Sequence, residues 1–211
     1  MIKNTSADIK WGTKINSKLS RVVSYCARKE TALDLGCGLG ANSRFLAEKY
    51  FNVTSVDYDK TLLSDFKNSL PNDIAEKINF IDADIKDFVP TKQYDLIIAL
   101  FVLHFFKIET VKNIIDKMKY SLRSGGIIFI SVFGNQDEEY HNLIHKGLQS
   151  GKNEVYSRKL NKTFHYFEKN EIKYLFKGYE FIEYEEYKKT DFHPPIGNHT
   201  HFIIDVVVKK M

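Results

Sequence analysis

The chain has little cysteine, little proline and no long apolar run. Its 211 residues include two cysteines, Cys26 and Cys37, and four prolines. Two thiols cannot build a disulfide framework, and no paired-cysteine metal spacing occurs; with one thiol inside a glycine turn, a reducing cytoplasm is the expected compartment. No stretch of about eighteen apolar residues occurs, so no membrane span is expected. The longest apolar run, Leu96 to Leu103, fits a buried strand and its exit loop. Met1-Ile2-Lys3-Asn4-Thr5 lacks the apolar centre of a secretory signal. An excess of one charge is also missing: the formal net charge is +4, and the lysines stand singly rather than in a stripe, which argues against a large nucleic-acid partner. There is no internal repeat and no low-complexity linker.

What is present is apolar and aromatic. Apolar residues make up 43% of the chain, with 16 Phe and 12 Tyr, ample for one sizeable core. The length fits a single domain over 1–211, with an N-terminal arm and helix over 1–30.

Apolar periodicity gives a coarse map. Ile15 to Ala27 reads as a helix, and Thr31 to Leu35 as a strand. A helix with Ala41, Phe45 and Leu46 on its stripe follows, then a strand over Val53–Val56 and a helix carrying Leu62, Leu63, Phe66 and Leu70. Ile78–Ile81 and Leu96–Leu100 are further strands. Ile108, Val111, Ile114, Ile115, Met118 and Leu122 form the cleanest helical stripe, and Gly125-Gly126 turns the chain into a fifth strand, Ile127–Val132. Strand alternating with helix through residue 133 implies an α/β fold with a doubly wound, mostly parallel sheet. Residues 134–165 break the pattern and read as an insert suited to a lid or acceptor-binding element. Tyr166 to Phe176 looks helical; Phe181–Tyr187 and Phe202–Lys209 read as a closing antiparallel pair.

One segment narrows the chemistry. Ala32-Leu33-Asp34-Leu35-Gly36-Cys37-Gly38-Leu39-Gly40 is an apolar strand with an acidic residue, then three glycines at alternate positions, then a helix start. Such a turn lets a ligand lie against bare backbone. Ligands of open α/β sheets bind beyond the carboxyl ends of the strands. There, Asp57, about 20 residues past Gly36, has the spacing of a ribose-binding carboxylate. Asp84, after the third strand, could accept from an adenine amino group, with Ile85 packing on the ring and Tyr58 able to stack. Gly36-x-Gly38-x-x-Ala41 also fits the loose nicotinamide-dinucleotide fingerprint. Against it stands Asp34, a carboxylate that would repel a pyrophosphate and suit a cationic amine or sulfonium.

Leu33-Asp34-Leu35-Gly36-Cys37-Gly38-Leu39-Gly40 resembles motif I of the class I S-adenosylmethionine-dependent methyltransferases. Val56-Asp57 resembles their ribose-binding motif, Ile81-Asp82-Ala83-Asp84-Ile85 their adenine-binding motif, Tyr94-Asp95-Leu96-Ile97-Ile98 their fourth-strand motif, and Leu122-Arg123-Ser124-Gly125-Gly126-Ile127 their entry to strand five. The likeness runs in family order from Thr31 to Phe133. It implies a seven-stranded sheet with an antiparallel C-terminal pair, and S-adenosyl-L-methionine as cofactor. It also implies a site of Asp34, Gly36, Cys37, Gly38, Gly40, Asp57, Tyr58, Asp84, Ile85 and the backbone near Leu100. The acceptor pocket would be framed by Trp11, Phe101, His104, Phe105 and the insert. Gly40 to Ala47 and the ending His199-Thr200-His201-Phe202 are similar to the tellurite-resistance and thiopurine-type small-molecule enzymes, although that group has arginine where this chain has Ala41.

The expected function is therefore methyl transfer to a small-molecule acceptor. A protein or RNA methyltransferase and a catalytically silent cofactor-binding module are the alternatives. His104 is a candidate general base, or else a pocket wall. His193, His199 and His201, and the pair His141 and His145, could bind metal geometrically. No cysteine or tight carboxylate accompanies them in sequence, so no metal site is expected.

Overall fold

The computed structural model describes residues 12–158, 161–193 and 197–211; for 191–193, 197 and 199 only the backbone is described. Seven strands form one sheet: β1 (Thr31–Leu35), β2 (Asn52–Asp57), β3 (Ile78–Asp82), β4 (Tyr94–Leu100), β5 (Leu122–Phe133), then β9 (Glu180–His193) and β10 (Gly197–Lys209). Their order is β3-β2-β1-β4-β5-β10-β9. β1 lies parallel between β2 and β4, and the order reverses there. That reversal opens a crevice at the carboxyl ends of β1 and β4, over the glycine turn. β10 runs antiparallel between β5 and β9, as the C-terminal pair in the sequence implies.

The apolar runs work because the central strands are covered on both faces. In β4, Ile97 and Ala99 join one core cluster with Val111, Ile114, Ile115 and Met118 of helix α5 (Ile108–Ser121). Leu96 and Ile98 point the other way, into a cluster with Leu19 and Val22 of α1 (Leu19–Ser24) and Leu46 and Ala47 of α2 (Ala41–Glu48). Between β2 and β3 lie α3 (Lys60–Asn68), capped by the Asp59 carboxylate, which accepts from the N–H groups of Thr61 and Leu62 at 2.9 and 3.1 Å, and α4 (Asn72–Ala75).

Several boundaries depart from the sequence expectation. The first helix is confined to Leu19–Ser24; Ile15, expected on its apolar face, is 48% exposed. β5 starts at Leu122 and takes in Gly125 and Gly126, with a register shift opposite Tyr94 to Leu96 absorbing the irregularity. β3 ends at Asp82, so Asp84 lies in the following turn rather than closing the strand. The helix expected over Tyr166–Phe176 shrinks to α7 (Glu171–Leu175), because Asn170 just before it is left-handed, with φ of 64°. Residues 134–165 hold α6 (Glu138–His145) and a separate antiparallel sheet of β6 (Gln149–Gly151), β7 (Glu154–Ser157) and β8 (Lys162–His165). These strands have three or four residues each, too few for alternation to register.

Candidate functional site

The glycine turn is built by close approach. Gly36, Gly38 and Gly40 have φ of 75°, 55° and 74°, conformations that side chains resist. A Cβ on Gly36 would lie 2.5 Å from a Val102 methyl carbon; one on Gly40 would lie 2.2 Å from the Phe66 ring. Gly12, which the sequence reading passed over, crosses above the turn. Its carbonyl accepts from the Ala41 N–H at 3.0 Å, and a Cβ there would meet the Cys37 carbonyl oxygen at 2.6 Å. No sequence signal marks Gly12, because its partner segment is distant in the chain. Trp11 lies outside the described residues.

The carboxylates divide in role. Asp57, at the end of β2, accepts from the Gly38 N–H at 2.8 Å and the Asp59 N–H at 3.0 Å, so it holds the turn open and stands at its lip. Asp34 is buried in β1 and accepts from the Ser43 hydroxyl at 2.6 Å, which in turn accepts from Ser55 at 2.7 Å. Burial drives the Asp34 carboxyl up to about 7; the Ser43 hydrogen bond opposes this and the charge of Asp57 adds to it. The native carboxyl thus keeps its proton to about pH 7, whereas in the unfolded chain it is lost near pH 4. The associated stability is fully present below about pH 4 and is lost as pH rises through about 7. Asp34→Asn, an uncharged isostere, removes this slope. In thermal melts without ligand its stability relative to wild type is expected to rise between pH 5 and pH 8; parallel curves would show that Asp34 does not titrate there.

Asp84 accepts from the Lys86 N–H at 3.1 Å and pairs with Lys86 Nζ at 2.8 Å. Ile85 is buried and Tyr58 is 61% exposed. Asp82, beside them, pairs with Lys60 at 2.9 Å. Cys37 is buried inside the turn, and burial raises its thiol well above the usual range; Cys26, also buried, is pushed up to about 12. Neither has the low-pKa, accessible setting of a nucleophile.

Past Leu100 the chain enters an aromatic box. Phe101 has φ of 55°, a strained value for a bulky residue and of the kind that clusters at functional sites. His104, in the short 3-10 turn Leu103–Phe105, is 1% exposed, and neither ring nitrogen has a hydrogen-bond partner. Its ring lies 4.4 Å from those of Phe105 and Phe133, and Phe101 lies 5.5 Å from Phe133. Burial lowers the His104 pKa to about 3, with His201 adding to the effect, so the imidazole is neutral. Phe164 of β8 stacks over His104 at 6.1 Å and meets Phe105 edge-on at 5.1 Å. Lys162, at the start of β8, donates to the Tyr58 hydroxyl at 3.1 Å and lies over the Phe105 ring at 5.2 Å. The small sheet therefore touches both sides of the crevice. Phe133, Phe164 and Lys162 had no local signature; only the fold assembles them.

Among the described residues no group of His, Cys, Asp and Glu is arranged to hold a metal, and no helix is long and apolar enough to cross a membrane. The side chains of His193 and His199 lie outside the described set. Two surface hollows, of about 360 and 620 Å³, lie by the amino ends of the parallel strands, lined by residues such as Asn52, Lys77, Arg28 and Arg123; neither touches the glycine turn.

Residues 33–130 match the family model described as a methyltransferase domain. The chain is 30% identical over 170 residues to the probable S-adenosyl-L-methionine-dependent methyltransferase TehB of Haemophilus influenzae, a match covering 79% of this chain and 50% of that protein. It is 27% identical over 126 residues to a trans-aconitate 2-methyltransferase of Rhizobium rhizogenes, covering 59% and 46%. The crystal structure of Haemophilus influenzae TehB superposes with a TM-score of 0.73 at 23% identity, covering 94% of this chain and 63% of that one. The chain spans about half the length of these curated relatives. Strand order, glycine turn and sequence likeness agree: the chain belongs to the class I S-adenosylmethionine-dependent methyltransferases.

Proposed function

We propose that this protein binds S-adenosylmethionine over the glycine turn and transfers its methyl group to a small-molecule acceptor held in the aromatic box, with residues 134–165 as the lid. The observation that carries this reading is the buried, unpartnered imidazole of His104 among Phe105, Phe133 and Phe164. A buried polar group without a partner costs about 1–3 kcal/mol, and a ligand hydrogen-bonded there would recover it.

The residues fit the cofactor. The left-handed glycines leave no side chain between the backbone and a ligand; Asp57 would receive the ribose hydroxyls, Asp34 and the turn would face the methionine end, and Asp84, Ile85 and Tyr58 would surround the adenine. When bound, the cofactor supplies an electrophilic methyl carbon. The protein's task is then alignment of the acceptor and exclusion of water, to which Phe101, Phe105 and the lid contribute. Lys162, reaching Tyr58 on one side and Phe105 on the other, would couple closure over the cofactor to closure over the acceptor. The likeness to a trans-aconitate 2-methyltransferase supports a small acceptor over a protein or RNA.

The test is transfer of label from methyl-labelled S-adenosylmethionine. Label is expected in small thiols, amines or metalloid oxyanions. Labelling confined to the macromolecules of a cell extract would replace this reading with a protein or RNA methyltransferase, and labelling of neither would favour a silent cofactor-binding module.

A further inference from the structure

Lys162, the first residue of β8, carries a charge that no acid opposes among the described residues. Its Nζ lies 4.6 Å from the centre of the Tyr58 ring and 5.2 Å from that of Phe105, and it donates to the Tyr58 hydroxyl at 3.1 Å. Tyr58 follows the end of β2, and Phe105 lies just past β4. These are the two strands that flank β1 in the sheet. An ammonium within reach of both rings therefore spans the crevice that opens between those strands.

An ammonium has three N–H donors and no acceptor. Lys162 uses one on Tyr58, and its other contacts are ring faces, which attract a cation but leave its hydrogen bonds unmade. The acids around the site are taken up elsewhere. Asp82 and Asp84 pair with Lys60 and Lys86 at 2.9 and 2.8 Å. Behind Phe133, Asp137 accepts from the N–H groups of Phe202 and Glu139 at 2.9 and 3.0 Å, and lies 3.0 Å from Nδ1 of His201.

The wall beyond the lysine is uncharged. Phe164, two residues on and so on the same face of β8, meets Phe105 edge-on at 5.1 Å. The neutral His104 ring lies 4.4 Å from Phe105 on its other side. A small molecule lying along Phe105 would thus meet a full positive charge at one end and neutral rings at the other. Its complement is a flat apolar body with an anionic group at one end. The cofactor's own carboxylate is the competing anion. Placed by Asp34 and the glycine turn, it would lie at the far end of the cofactor from Tyr58.

Resting on the methyl-transfer reading above, we propose that Lys162 is a specificity-determining residue, which reads a carboxylate or comparable anionic group on a flat small acceptor lying against Phe105 and Phe164. Neutral molecules of the same shape lose that contact and are disfavoured.

The test compares benzoate with benzamide, the same shape without the charge, by NMR titration of the protein loaded with S-adenosylhomocysteine. Benzoate is expected to bind about 10-fold more tightly, in line with a hydrogen bond to a charged group. Its shifts should centre on Lys162, Phe105 and Phe164. The preference is expected to persist in Lys162→Arg and to vanish in Lys162→Met, which keeps an unbranched stem and loses the charge. Equal affinity for the two probes in the wild type, binding of neither up to the solubility limit, shifts centred elsewhere, or a preference that survives in Lys162→Met would overturn the proposal. So would benzoate that displaces S-adenosylhomocysteine instead of binding beside it, since the lysine would then serve the cofactor's carboxylate. All of these outcomes leave the cofactor reading standing. Absence of S-adenosylhomocysteine binding, measured first by calorimetry, would remove that reading and this proposal with it.

Discussion

Gly40→Ala is expected to lower the melting temperature by roughly 5–15 °C, the largest stability loss anticipated for a single methyl group in this protein. Two costs combine. A left-handed backbone at φ of 74° opposes a Cβ by about 1–2 kcal/mol. The added carbon would also sit 2.2 Å from the ring of Phe66. That ring is 1% exposed and packed edge-on against Phe80 at 5.2 Å, so it cannot swing aside, and overpacking adds about 1–3 kcal/mol. For a chain of this size each kcal/mol moves the midpoint by about 2–4 °C. Gly147→Ala is the control. Its φ is 67°, but a Cβ there would meet nothing within 4 Å, so only the backbone cost of about 1–2 kcal/mol should appear. Equal melting temperatures for the two variants would mean that the close packing of the turn against α3 is wrong.

Asp57→Ala is expected to weaken S-adenosylhomocysteine binding by about 100-fold or more. The carboxylate both holds the Gly38 N–H and, on the proposed reading, receives the ribose hydroxyls. Hydrogen bonds to a charged group are worth about 1.5–3 kcal/mol each, and losing two of them, one to each ribose hydroxyl, corresponds to a factor of roughly 100 or more. Some stability should be lost too, because Gly38 and Asp59 each lose an acceptor. Asp57→Asn keeps one acceptor oxygen and should fall between. Affinity unchanged in Asp57→Ala, in a protein that still melts cooperatively, would place the ligand elsewhere.

How much of this was legible beforehand follows from where each signal resides. β4 could be read because Leu96 to Leu100 is a continuous apolar run, and the fold buries both of its faces. The glycine turn could be read because φ above zero restricts the residue type at three alternate positions, Gly36, Gly38 and Gly40. Asp57 could be read because the span from one strand end to the next is nearly constant in this topology. The N-terminal helix was overread: its apolar residues serve a single turn and a half against β5 and β10, and Ile15 continues the spacing without being buried. The small sheet over the site left no trace, since strands of three or four residues carry no periodicity.

The aromatic cluster proposed to hold the acceptor was legible only in part. Phe101, His104 and Phe105 follow a strand that points at the crevice, so their positions could be inferred from the strand alone. Phe133 and Phe164 reach the same box from segments far apart in sequence. Asp137 and His201 are 64 residues apart, and nothing local ties an N-capping aspartate to a strand histidine. Neither does anything in the sequence separate the two imidazoles: His104 is neutral because the fold buries it, and His201 meets a carboxylate because β10 runs antiparallel beside β5.

Calorimetric titration of the wild-type protein and Asp57→Ala with S-adenosylhomocysteine tests the central claim most directly. The account predicts saturable one-to-one binding to the wild type, and binding weakened by about 100-fold or more in the variant. No heat from S-adenosylhomocysteine with the wild type, or equal affinity in both proteins, would contradict it.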